Sequence, residues 1–228
     1  MQDERASPGL TPGQLLALAR GFSRIFWGIG LAVLLITGFL NIRLMNALAI
    51  SPHILGVLIV VAGTFRLYRA DPPIDGWTTR TRLLFAAALL QIYLVPFLTW
   101  WRKMPDVKLY AANVFVLVLV TLWLLSLTNK LVADVGDALG NRLLSIEARL
   151  CELSAAFFIL GPAFCVLFYT LLSSLRTEGG AYTIQVSVRY AWPLWVHVFF
   201  AIPFVLTMAS AWEAKEACLR AIEEKPET

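Results

Sequence analysis

The chain has 228 residues, of which 59% are hydrophobic and only 15% charged, with a mean hydropathy of +0.72 and a formal net charge of +4. A water-soluble domain carries about 25% charged residues, so this composition excludes one. The useful unit of length is instead the membrane span, about 20 apolar residues of helix.

Charged residues mark the ends of six such units. The pairs Arg24–Arg43, Arg43–Arg66, Arg82–Arg102, Lys108–Lys130, Glu152–Arg176 and Arg189–Glu213 enclose 18, 22, 19, 21, 23 and 23 residues without Asp, Glu, Lys or Arg. At the rise of an α-helix, each window matches the thickness of the hydrocarbon core. Backbone in lipid must satisfy its own hydrogen bonds, and barrel strands would be shorter and alternating. The expected fold is an all-α integral membrane protein, a bundle of six transmembrane helices at about 25–42, 52–68, 83–101, 109–129, 153–175 and 190–212.

Residues 1–23 read as a cytoplasmic segment carrying a short amphipathic helix on the membrane surface. Thr11 and Pro12 have the chemistry of an N-cap and first helical residue. The first apolar run, Ile25 to Leu40, exceeds a signal-peptide core and lacks a small-residue cleavage site, so it reads as a retained span. Asn41-Ile-Arg43 and Ser51-Pro52 leave little room for the first turn, which makes that hairpin the weakest. The stretch from Ala70 to Trp77, with two prolines and a glycine, is turn chemistry. Trp27, Trp100, Trp101, Trp192, Trp195 and Trp212 fall near span ends, where indoles prefer the headgroup level. Residues 182–188 read as a short extended segment, and residues 213–228 as a cytoplasmic helix and polar tail.

The loop from Lys130 to Glu152 is the one organised element between spans. Val132, Val135, Leu139, Leu143, Ile146, Leu150 and Leu153 recur at three- and four-residue spacing, which predicts one apolar stripe on a hairpin of amphipathic helices. Gly140-Asn141 is the expected break, with Gly136 a second weak point. The stripe fits a surface for docking another protein, with Val135, Leu139, Leu143, Ile146 and Leu150 as the binding residues, or contact with the headgroup region.

Orientation follows from the basic residues. With six spans and a cytoplasmic N-terminus, 13 of the 19 Lys and Arg lie inside. The positive-inside rule therefore places both termini in the cytoplasm, and the expected location is the plasma (cell inner) membrane. The main dissenters are Arg102, Lys103 and Lys108. The positive charge is scattered over span ends with no basic stripe, which argues for lipid contact and against nucleic acid.

Catalytic signatures are missing. The sequence has no H-E-x-x-H, nucleophile elbow or phosphate-binding loop, and no acidic or basic residue inside the six windows. Cys151, Cys165 and Cys218 form no C-x-x-C pair and read as small apolar fillers. The span polar residues, Gln91, Asn113 and Thr121 among them, suit interhelical hydrogen bonds. His53 and His197 fall toward one side, and a b-type haem held by two imidazoles from different helices would use such a pair. Pro96, Pro162 and Pro203 are expected helix kinks. Val95-Pro-Phe97 resembles Ile202-Pro-Phe204, and Ile54-Leu-Gly56 resembles Ile159-Leu-Gly161, at nearly equal offsets, as a three-plus-three inverted repeat would require. Three functions are therefore expected in order: a non-catalytic subunit or scaffold of a membrane complex with membrane or cytoplasmic protein partners; a small carrier of uncharged or lipid-like solute; and a haem-binding electron-transfer subunit.

Overall fold

The computed structural model describes residues 10–36, 53–104, 107–174 and 194–224. These residues form six helices and, among them, no strand: α1 (Pro12–Ile36), α2 (Ile54–Ala70), α3 (Trp77–Lys103), α4 (Lys108–Ala138), α5 (Arg142–Ser174) and α6 (Leu194–Glu223). Three of them, α1, α3 and α4, are long and apolar enough to cross a membrane. The first hairpin turn and the expected extended segment at 182–188 lie outside the described residues.

Helix α1 opens with a capping box. The Gln14 amide donates to the Thr11 hydroxyl at 3.3 Å, and the Gln14 side-chain oxygen accepts from the Thr11 amide at 3.0 Å. The expected N-terminal helix and the start of the first span belong to one continuous helix. One helix of 25 residues runs through, because Leu15, Leu18, Phe22, Ile25 and Ile29 form one continuous buried face. Packing against α2 and α6 holds this helix together past Arg20, which is exposed, and past Ser23 and Arg24, which are half-buried at the edge of the α2 contact.

The α1–α2 pair is antiparallel and close. Gly21 and Gly28 on α1 meet Gly63 and Gly56 on α2, seven residues apart on each helix. A β-carbon on Gly56 would lie 2.5 Å from the Ala32 amide nitrogen and 2.7 Å from the Gly28 carbonyl. Small residues thus let two backbones touch, the usual device where lipid supplies no hydrophobic drive.

Helices α2 and α3 are joined by the predicted turn, with Asp71 and Gly76 both left-handed at φ 35 and 72. Trp77 closes it from inside: it is buried, and its indole N–H donates to the Leu67 carbonyl at 3.0 Å. Helix α4 packs on α3, α5 and α6, and α1 packs on α2 and α6. The predicted break at Gly140-Asn141 forms a Schellman turn. The Gly140 amide donates to the Asp137 carbonyl at 3.1 Å and the Asn141 amide to the Gly136 carbonyl at 2.9 Å, with Gly140 at φ 70. Asn141 then caps α5 by accepting from the Leu144 amide at 3.2 Å.

Contacts between helix ends set their directions. Gln14 reaches Asp71, Thr78 reaches Asp71, Arg80 pairs with Asp134, and Arg149 pairs with Asp137. The start of α1, the end of α2, the start of α3, the end of α4 and the start of α5 therefore share one end of the bundle. That end also holds core residues including Leu15, Leu67, Trp77, Leu84, Leu131, Ala148, Ala214 and Cys218. We call it the polar end, since Arg66, Arg69, Arg80, Arg82, Arg142 and Arg149 also lie there.

Candidate functional site

The α4–α5 hairpin at the polar end carries a row of exposed apolar side chains beside charged ones. Its geometry starts from the turn. Gly136 sits where a β-carbon would lie 2.9 Å from the Ser145 amide nitrogen, so the two helices pack backbone to backbone just before they separate. Asp137 and Arg149 bridge them at 2.8 Å, both largely solvated, which contributes little to stability. On the far side of α4, Arg80 pairs with Asp134 and ties α3 to α4.

The expected single stripe from Val132 to Leu153 is not one surface. Val132 and Val135 are fully buried in the bundle, and Leu139 is half-buried against the core. Leu143, Ile146, Leu150 and Leu153 are instead between 57% and 67% exposed. The reason is the turn: the chain reverses at Gly140, so the helical phase of α4 does not carry into α5. Small and polar residues, Ser145, Ala148 and Ala155, with Leu144, form the buried face of α5. The larger residues are left facing out, and Phe157 extends their row. Of the five residues expected to bind a partner, Leu143, Ile146 and Leu150 share an exposed face, whereas Val135 and Leu139 do not.

Carboxylates from α5 and α6 meet beside this face. Burial and a shared hydrogen bond with Glu147 push the Glu213 carboxyl up, in that order of size. Cys151, half-buried on the same side of α5, has its thiol pushed up by burial and by Glu147 and Glu213. Cys218 is fully buried in α6 and its thiol is pushed up to about 12, which fits the expected role of apolar filler.

Deeper in the bundle, α4 and α6 share a buried polar network. The Asn129 amide donates to the Thr207 hydroxyl at 2.9 Å, and Ser210 donates to the Asn129 carbonyl oxygen at 2.6 Å. Thr207 in turn donates to the Pro203 carbonyl at 2.8 Å. Every polar side chain there is satisfied within the protein, so the network holds helices together. Gln91 donates to Thr121 across α3 and α4 at 2.9 Å, the interhelical contact expected of these two residues. Thr64 and Asn113 bond within their own helices instead.

The remaining sequence candidates lie apart from the hairpin. His53 immediately precedes α2 and is buried, with interactions inside the protein. His197 belongs to α6, but its side chain lies outside the described residues, as do those of Pro162 and Cys165. Among the described residues no three His, Cys, Asp or Glu converge as a metal site. Helices α3 and α6 continue through Pro96 and Pro203 without ending. Trp27, Trp100 and Trp212 remain exposed, and the Lys215 ammonium sits 3.6 Å from the centroid of the Trp212 ring.

The sequence reading missed the four packing glycines, although their seven-residue spacing is visible in both helices. It also missed Trp77, whose role depends on the turn before it, and Asn129, which stands one residue before the charge that closes its window. Comparison of the chain with protein-family models, with curated protein sequences and with solved structures finds no match to any of them.

Proposed function

We propose that the protein is a six-span subunit of a membrane assembly in the plasma membrane, with both ends cytoplasmic, and that it docks a protein partner through the outer face of α5. The observation that carries this reading is the row Leu143, Ile146, Leu150 and Leu153, exposed on a helix whose other face is already packed on α4 and α6. Arg142 and Arg149 flank the row and are exposed. Four large aliphatic side chains left outside, three of them before the expected fifth span and Leu153 at its first residue, suit an apolar partner surface with a charged rim. No catalytic step is needed for such a role.

The end contacts support the span count. If α1 crosses the membrane, α2 must return, because Gln14 and Asp71 are hydrogen-bonded and cannot lie on opposite sides of about 30 Å of hydrocarbon. The Arg80–Asp134 pair imposes the same return on α3 and α4.

The test is the size of the complex extracted in mild detergent from cells expressing wild type or Ile146→Glu. A charge placed in an apolar contact costs several kcal/mol, and about 3 kcal/mol weakens association over a hundredfold. The variant should accumulate normally and run at a smaller size. Unchanged size would mean that the row faces lipid, and the docking role would fall.

A further inference from the structure

Three arginines gather about one cleft on the outer side of the α1–α2 pair. Arg20 and Arg24, one turn apart on α1, and Arg66 on α2 line a cavity of about 280 Å³ together with Ser23. Arg24 and Arg66 are half-buried, and Arg24 donates to the Ala62 carbonyl at 3.5 Å. Among the described residues no carboxylate pairs with any of the three. Their approach is imposed by the glycines: at Gly63 a β-carbon would lie 3.1 Å from the β-carbon of Arg24, so the two helices are as close here as they can be. Three guanidinium groups held at one cleft repel one another unless an anion sits between them. Their planar forks match phosphate oxygens, and Ser23 adds a hydroxyl.

The surroundings indicate where the phosphate comes from. On α1 the face that carries Arg20 continues through Trp27, Leu31 and Leu34, with Trp27 and Leu34 exposed. On α2 the face of Arg66 continues through Ala62, Ile59 and Leu55, with Leu55 exposed. The cleft therefore stands at the head of an apolar stretch of the α1 and α2 surfaces that runs away from the polar end. A phosphate at the arginines would leave two hydrocarbon chains to lie along that apolar surface, at the level where the first two spans begin and end.

We propose that this cleft is a binding site for the phosphate of an anionic membrane lipid, with Arg20, Arg24 and Arg66 as its cationic ligands and Ser23 as a further donor. The inference rests on the reading of the chain as a membrane protein. It does not depend on the α5 docking face, which lies on other helices.

The experiment begins by fractionating cells, so that a failure of membrane insertion is seen separately from a failure of the site. Wild type, Arg24→Gln/Arg66→Gln and Arg20→Gln are then purified in uncharged detergent and titrated with phosphatidylglycerol, phosphatidylcholine and inorganic phosphate, with bound adducts counted by native mass spectrometry. Wild type should bind phosphatidylglycerol in preference to phosphatidylcholine. The double variant should lose affinity at least about tenfold, and Arg20→Gln by less, since each basic residue near an anionic lipid contributes modestly. Arg20 is exposed, so its variant keeps the test valid if the double variant fails to accumulate. Equal binding by wild type and the folded variants would overturn the site. Millimolar inorganic phosphate that abolishes lipid binding would place a soluble anion there and overturn the lipid assignment.

Discussion

Residue identity decides most of what could be read in advance at the turns. Thr11 with Gln14, and Gly140 with Asn141, have side chains whose local chemistry selects one conformation, and the structure uses them accordingly. Residues whose role depends on distant neighbours were not legible in this way. Cys218 reads in sequence only as an apolar filler; which neighbours bury it, with Ala211 and Ala214 on the same helix face, appears only in the packing of α6. Burial pushes its thiol up to about 12, and a thiol must ionise to react. At pH 8 the thiolate would then be roughly one part in ten thousand. A variant retaining only this cysteine, with Cys151→Ser and Cys165→Ser, should resist maleimide in folded, detergent-solubilised form and react fully once denatured. Rapid labelling of the folded protein would contradict the packing of α6.

Helices were legible as elements because charge marks their ends, but their partners were not. The length of α1 shows why. Periodicity distinguishes an apolar face from a polar one, yet it does not say whether that face meets lipid headgroups or another helix, and here it meets α2 and α6. The hairpin shows the same limit: a run of three- and four-residue spacings crosses Gly140 in sequence, while the structure turns Val135 inward and Leu143 outward. What selects the partner of α1 is the glycine pair on each helix. Gly56→Ala should therefore weaken the bundle by about 1–3 kcal/mol, because its β-carbon would press on the backbone of Ala32 and Gly28, which cannot rotate away. Gly13→Ala, with nothing within 4 Å, should leave stability unchanged or slightly raised. Thermal unfolding in detergent distinguishes the two, and equal midpoints would show that the close approach of α1 and α2 contributes no stability.

At the scale of the whole molecule the helices form a ring, α1 beside α2, α2 beside α3, and so on to α6 beside α1, with α4 also touching α6. Any up-and-down ring of six has the same neighbours after a shift of three, so ring order alone does not speak for an inverted repeat. Among the described residues, the Asn129–Thr207–Ser210 contact between α4 and α6 has no comparable counterpart between α1 and α3.

The ring does make a strong statement about sides. Residues 14 and 71, 80 and 134, 137 and 149 touch in pairs, so the turns at 71–76 and 139–141 lie together at the polar end, while Met104 lies at the other end of α3, about 40 Å away at the helical rise. Two membrane maps compete. If only the three long apolar helices crossed, residue 75 and residue 140 would lie opposite the start of α1, and the Gln14–Asp71 hydrogen bond would have to break. If all six cross, residues 75 and 140 and the C-terminus share the cytoplasmic side with the start of α1, and Met104 lies outside. Reporter fusions at the four positions separate the maps. We expect cytoplasmic signals after 75, after 140 and at the C-terminus, and an external signal at Met104. The lysine and arginine distribution favours the same result, because the polar end carries most of the positive charge. An external signal after residue 140 would require the helices to separate from the arrangement described, and with it the six-span reading would fail.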